Sequence, residues 1–190
     1  QRAIDEGICT REEIFVTTKL WPSNYNERGV DRALETLGLD YIDLMLLHQP
    51  AGDYMGGWDA LEKAVSDSKL RSIGLPNFSD EQFAEVAASA TILPAVHQVE
   101  THIFNQHTAM RGFLNQYGTV LEAWFPLGGR GHTQDHLGNE TITAIAEAHG
   151  VSAAQVIIRW HIQDGHIAIP GSSNEAHIIE DHDVFGFELT

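Results

Sequence analysis

The run Ile42-Asp43-Leu44-Met45-Leu46-Leu47-His48-Gln49-Pro50 decides the architecture. Apolar residues fill Ile42 to Leu47 almost without a break, as in a strand whose two faces are both covered. Upstream, Val30, Ala33, Leu34 and Leu37 recur at helical spacing, and downstream Trp58, Leu61, Val65 and Ser68 fit a second helix. The same alternation continues outward in both directions. Short strands are predicted at IFVTT (14–18), SIGL (72–75), AVHQVE (95–100), TVLEA (119–123) and HIAIP (166–170). Helical faces lie between them: Ser79, followed by Glu81 and Gln82, opens one with a plausible N-cap. Met110, Phe113, Leu114 and Tyr117 mark another. Ile142, Ile145 and Ala146, then Ala153, Val156, Ile157 and Trp160, give two more, and a short helix follows Ser173.

Regular strand–helix alternation implies a parallel sheet with helical crossovers, either an open doubly wound sheet or a TIM (β/α)8 barrel. IFVTTKLWPSN carries no glycine-rich dinucleotide fingerprint after its strand, where a doubly wound domain would place one. Polar and aromatic residues instead follow several strands: Lys19 and Trp21, His48, Asn77, Gln98, Trp124, then Ser172. Barrels build sites this way, at the carboxyl ends of strands around one mouth. The α/β reading is therefore an incomplete barrel with about six of the eight strand–helix units a closed barrel needs. No linker or low-complexity stretch divides residues 1–190, so one domain is expected.

Composition sets the outer limits. The 190 residues are 43% hydrophobic, and a chain of that length normally buries about 70% of its unfolded surface. A formal charge of −16 repels phosphate backbones and anionic lipid, which argues against nucleic acid and membrane surfaces as partners. Cys9 is the only cysteine, so no internal disulfide forms, and a cytoplasmic location is expected. No apolar run reaches membrane-spanning length, and QRAIDEG does not look like a signal peptide.

Lys19 ends an apolar, β-branched run, so its ammonium either snorkels from the rim or acts desolvated on a neighbouring hydroxyl or carbonyl. His48 closes the central strand, either as a satisfied structural group or as a group that polarises a carbonyl or phosphate. Together, on successive strand ends at the functional face, they favour chemistry.

In order along the chain, REEIFVTTKLW, LGLDYIDLMLLHQP, SIGLPNF, HQVETH, EAWFPLG and QVIIRWHIQDGHIAIPGSSN resemble the aldo/keto reductases. No single run is diagnostic, but the ordered set covers nearly the whole chain. The resemblance implies a TIM barrel that binds NADP, or NAD, in extended form and moves hydride between the nicotinamide and a small-molecule aldehyde or ketone. It assigns Lys19 and His48 to the active site and Trp21 to the substrate pocket. Asn77 and Gln98 match the amides that hold the nicotinamide carboxamide, and Trp124 matches the aromatic that stacks on its ring; Pro126 and Leu127 follow in the same cofactor-binding run. Ser172 and Ser173 fall where the adenosine phosphate is received, His177 beside them, and Glu180 and Asp181 where adenine is reached. A monomer is implied for an intact enzyme.

Departures from the pattern are equally plain. The family's tyrosine acid and its aspartate match no position in these residues, and would lie on strands preceding residue 1. The C-terminal helix and substrate loop would lie beyond Thr190. A shortened barrel would carry open edges that invite self-association. Pro76 and His97 replace more usual neighbours of the two amides, and Gly171 and His177 stand where cations often meet the 2′-phosphate, which weakens strict NADP selectivity. His132 and His136 have metal-compatible spacing but lie in a glycine-rich stretch read as a loop, and no metal site is assigned. Three readings follow: a carbonyl reductase, a cofactor-binding remnant without turnover, and, more weakly, a Schiff-base aldolase on Lys19, against which Asn77, Gln98 and Trp124 argue.

Overall fold

The computed structural model describes residues 2–190, and around the central strand it follows the alternation closely. The chain runs α1 (Arg2–Asp5), β1 (Thr17–Leu20), α2 (Glu27–Leu37), β2 (Ile42–Leu47), α3 (Tyr54–Ser66), β3 (Leu70–Pro76), α4 (Asp80–Ser89) and β4 (Val96–Glu100). It continues with α5 (Thr108–Leu114), β5 (Val120–Trp124), α6 (Thr133–Leu137), α7 (Glu140–His149), α8 (Ala153–Gln163), β6 (Ile167–Ala168) and α9 (Glu175–His182).

Two compact units divide these elements. The first runs to His97 and takes in Gln116–Thr119. Its centre is β2, in which every residue is buried. β1 pairs with β2 in parallel, Lys19 opposite Leu46, and β3 pairs on the other side, Leu44 opposite Ser72. Ile42, Met45, Leu46, Leu47, Leu61, Ile73, Leu75 and Phe83 are fully enclosed, each contributing roughly 1.5–3 kcal/mol by burial. The helices that cover this sheet begin where local chemistry tells them to. Asn26 accepts the Gly29 N–H at the start of α2 and Asp53 that of Gly56 at the start of α3. A reciprocal capping box between Ser79 and Gln82 opens α4. Gly74 has no alternative on β3, because a Cβ there would collide with the Val96 carbonyl and the Leu46 side chain.

The second unit comprises Gln98–Asn115 and Val120–Thr190. β5 and β6 pair in parallel, Glu122 opposite Ile167, and the Thr101 N–H reaches the Trp124 carbonyl at 3.3 Å. α8 starts on a Ser152–Gln155 capping box and buries Val156, Ile157, Ile158 and His161.

Five elements differ from the sequence expectation. β1 begins at Thr17 rather than Ile14: a tight turn at Arg11–Glu13 precedes it, and the Val16 N–H is taken by the Asp43 carboxylate at 2.9 Å. β6 shrinks to Ile167–Ala168 because the His166 N–H returns to the His161 carbonyl, and Pro170 has no N–H to give. The stretch GGRGHTQDHLGN is not all loop, since α6 forms within it. Ser68 lies past the end of α3 with φ 61, and Tyr117 sits in a tighter turn that follows α5.

Candidate active site

In the first unit the register of β1 on β2 does the positioning. Lys19 stands opposite Leu46, and side chains two apart on a strand share a face, so Lys19 and His48 emerge on the same side. The His48 N–H donates to the Leu20 carbonyl at 2.9 Å, which fixes the backbone just past the strand end. Trp21 meets the imidazole edge-on, ring centres 4.9 Å apart, while 52% of the tryptophan stays exposed. Burial lowers the His48 pKa, and the nearby Lys19 charge lowers it further. His48 is therefore neutral at physiological pH, one nitrogen a donor and the other an acceptor. A cavity of about 270 Å³ runs between β1 and α2, bordered by Lys19 and Trp21 but also by Arg32, Ala33 and Leu37, and His48 is not among its lining residues. Asn77 follows β3, exposed, at φ 58, a left-handed conformation that asparagine tolerates better than most residues.

The second unit holds the remaining candidates. Gln98 is 1% exposed and its Nε2 donates to the Glu122 carboxylate. Trp124, at the end of β5, packs on Phe125 at 4.7 Å and, with Pro126, Leu127, Ile169 and Pro170, lines a cavity of about 410 Å³. Leu127, Thr133 and Gly171 also line a second cavity of about 230 Å³, which carries Ser172, His177, Glu180 and Asp181. The two cavities therefore adjoin. Ser172 Oγ accepts the Asn174 N–H at 3.1 Å and lies 3.4 Å from His177 Nδ1. Burial raises the Asp181 pKa, the Glu180 charge adds to this, and His177 opposes it. Ser173 is exposed and lines neither cavity.

A larger cavity lined by an indole, apolar side chains and Arg130, adjoining one with hydroxyl, imidazole and carboxylates, could hold an extended dinucleotide. Among the described residues lining the smaller cavity there is no lysine or arginine.

Glu122, His102 and His161 of this unit were not singled out from sequence, and His136 was weighed only with His132 as a metal-compatible pair. Glu122 is 3% exposed beneath an apolar run. His136 is 3% exposed, its Nε2 3.0 Å from His102 Nδ1 and its own Nδ1 2.8 Å from the His132 carbonyl. His161, fully buried, sits 3.3 Å from His166. Only a buried charge inside an apolar strand could have flagged Glu122, whereas His102 and His136 meet across 34 positions of sequence.

A model of the aldo/keto reductase family matches residues 1–190. The chain belongs to that family. Morphine 6-dehydrogenase of Pseudomonas putida is 42% identical over 98% of this chain and 70% of its own length. Glyoxal reductase of Bacillus subtilis is 42% identical over 98% of this chain and 68% of its own. The crystal structure of a Bombyx mori aldo-keto reductase in complex with NADP superposes on the whole chain and 68% of its own length, with a TM-score of 0.91 at 33% identity. The parallel strands and alternating helices are thus those of an aldo/keto reductase barrel, present here as six strand–helix units among the described residues. Family and relatives together support carbonyl oxidoreduction on a small molecule with a nicotinamide cofactor.

Proposed function

We propose that this aldo/keto reductase interconverts an aldehyde or ketone and its alcohol, with Lys19 and His48 at the reacting carbonyl. The observation that carries the reading is their placement on one face of neighbouring strand ends, close enough for the lysine charge to act on the imidazole. The neutral His48 ring donates one N–H to the carbonyl oxygen, orienting it and drawing off charge. The Lys19 ammonium holds the local potential positive, which favours the anionic form of a proton-donating hydroxyl placed beside it. The edge of Trp21 stiffens the His48 ring and offers an apolar wall to the substrate.

When bound, the nicotinamide cofactor supplies or accepts the hydride at the carbonyl carbon. Asn77 and Gln98 are assigned to its carboxamide, Trp124 to its ring face, and Pro126 and Leu127 to the cavity wall along it. Ser172, Ser173 and His177 receive the adenosine phosphate, and Glu180 and Asp181 face the adenine. The adjoining cavities from Trp124 to Asp181 support that course. NADP is the proposed cofactor. NAD is accepted as well, because the smaller cavity offers a 2′-phosphate His177 and two carboxylates rather than a lysine or arginine.

Fluorescence titration with NADPH and NADH, coupled to reduction of a small aldehyde, tests the assignment. Lys19→Met is expected to lower kcat on the order of 100-fold or more while cofactor affinity holds, the usual span for a group acting in proton transfer. Trp124→Ala is expected to weaken cofactor binding instead. Cofactor binding without any turnover in the unaltered chain would overturn the reductase reading in favour of a cofactor-binding protein. Absence of binding would sink both.

A further inference from the structure

Phe125 holds a backbone conformation that its residue type does not favour. It sits at φ 53, in the left-handed region where a Cβ crowds the following carbonyl oxygen, and a proline comes next. The residue before a proline is pushed toward extended backbone, so a left-handed phenylalanine here is strained on two counts. Burial does not offset that cost, because 40% of the residue stays exposed. Strain of this kind persists where the surrounding structure fixes a side chain in one place, and such places cluster at functional sites.

The place is well defined. The Phe125 carbonyl accepts the Gly128 N–H at 2.9 Å, closing a turn over Pro126 and Leu127. A Cβ at Gly129 would come within 2.8 Å of the phenyl ring, so the ring rests against bare backbone there. The same ring meets the Trp124 indole with centres 4.7 Å apart and planes at 62°, a corner rather than a stack. Both rings border the cavity of about 410 Å³. A flat heterocycle laid on one wall of this corner brings its edge to the other, a contact that aromatic rings favour.

We propose that Phe125 is a second aromatic contact for the nicotinamide ring, held beside Trp124 by the strained turn. The indole takes one face of the nicotinamide, and the phenyl ring closes its edge and keeps water from it. This inference rests on the assignment of Trp124 to the nicotinamide, and the test separates the two.

Phe125→Ala, Phe125→Gly, Phe125→Tyr and Trp124→Ala are made in the full chain, and thermal unfolding is followed for each. NADPH dissociation constants come from fluorescence titration. Calorimetry gives those for adenosine 2′,5′-bisphosphate, which carries the adenosine phosphate end without the nicotinamide. Phe125→Ala is expected to raise the NADPH dissociation constant on the order of tenfold, the scale of one lost aromatic contact, while the bisphosphate binds as before. Phe125→Tyr keeps the ring and should keep the affinity. Phe125→Gly should unfold at a higher temperature than Phe125→Ala, because glycine accepts a positive φ, yet bind NADPH as weakly. NADPH affinity within twofold of normal in Phe125→Ala, with Trp124→Ala impaired, overturns the proposal and leaves the Trp124 assignment standing. Equal losses for NADPH and the bisphosphate overturn it as well, because they would make Phe125 a support of the loop. So does a loss in Phe125→Tyr as large as that in Phe125→Ala. A Phe125→Gly chain that regains affinity, or unfolds no higher than Phe125→Ala, would show that the ring or the strain has no such role. Unchanged affinity in Trp124→Ala overturns the proposal at its premise, together with the Trp124 assignment.

Discussion

A histidine at a strand end becomes informative through its neighbours. His48 is held below the ordinary histidine value first by burial and then by the Lys19 charge, and both causes favour the neutral ring. Removing the charge leaves the burial. In Lys19→Met the His48 titration is therefore expected to move upward without reaching the ordinary value, as followed by NMR of the ring protons. An unchanged titration would mean that the ammonium does not reach the ring. This prediction concerns the free enzyme, so it stands whether or not substrate binds. The same comparison shows how far individual residues were legible. Lys19 and His48 stood out in the sequence because each lies at the end of a run rich in apolar or β-branched residues, and strand register brings the two to one face. Glu122 did not, because the Gln98 amide that meets it lies 24 positions away, and TVLEA alone fits a strand edge equally well.

At the scale of elements, Asp43 explains both a stable feature and a misplaced boundary. Its buried carboxylate accepts the Val16 N–H at 2.9 Å, Arg11 Nη2 at 2.7 Å and Arg71 Nη1 at 3.1 Å, which ties the approach to β1, β2 and β3 together. Arg11 and Arg71 also pack over the Tyr41 ring, 3.8 and 4.0 Å from its centre. Asp43→Ala leaves the mostly buried Arg11 guanidinium and the Val16 N–H without this acceptor. A loss of about 3 kcal/mol or more is expected in urea unfolding, the usual scale when one partner of a buried ion pair is removed. Asp43→Asn keeps the shape and one acceptor and should lose less. Wild-type stability in Asp43→Ala would show that the network is ornamental. Helix starts were legible because a capping serine with glutamine three residues later is a local signal, as at Ser79 and Ser152. The start of β1 was not, because the N–H of Val16, just before it, pairs with a side chain 27 positions ahead.

For the molecule as a whole, acidity is the natural stress, since 27 carboxylates and 11 histidines take up protons as pH falls. Two kinds of group answer it in different windows. His161 is fully buried, and its pKa falls from 6.5 to about 4, chiefly through burial and the nearby His166, with the Pro126 carbonyl and Asp164 pulling the other way. The unfolded chain therefore takes up this proton before the folded one. Stability contributed by the neutral ring is complete above 6.5 and is lost as pH falls toward about 4, amounting to about 3 kcal/mol in all. His102 and His166, both lowered first by burial, act in the same direction. Asp43 works lower on the scale. Burial alone would raise its pKa, but the Val16 N–H, the Arg11 hydrogen bond and the charges of Arg11 and Arg71 outweigh burial and lower it. Its contribution is present above the unfolded carboxylate value and disappears only on further acidification. Weakening should thus begin with the buried histidines, above the range in which Asp43 takes up its proton. Urea unfolding at pH 7.5 and 5.0 is expected to show a clear loss in the unaltered chain and a shallower pH dependence in His161→Gln, even if that variant starts less stable. Equal slopes for the two would remove His161 as the group that senses acid and leave the loss to the other lowered histidines.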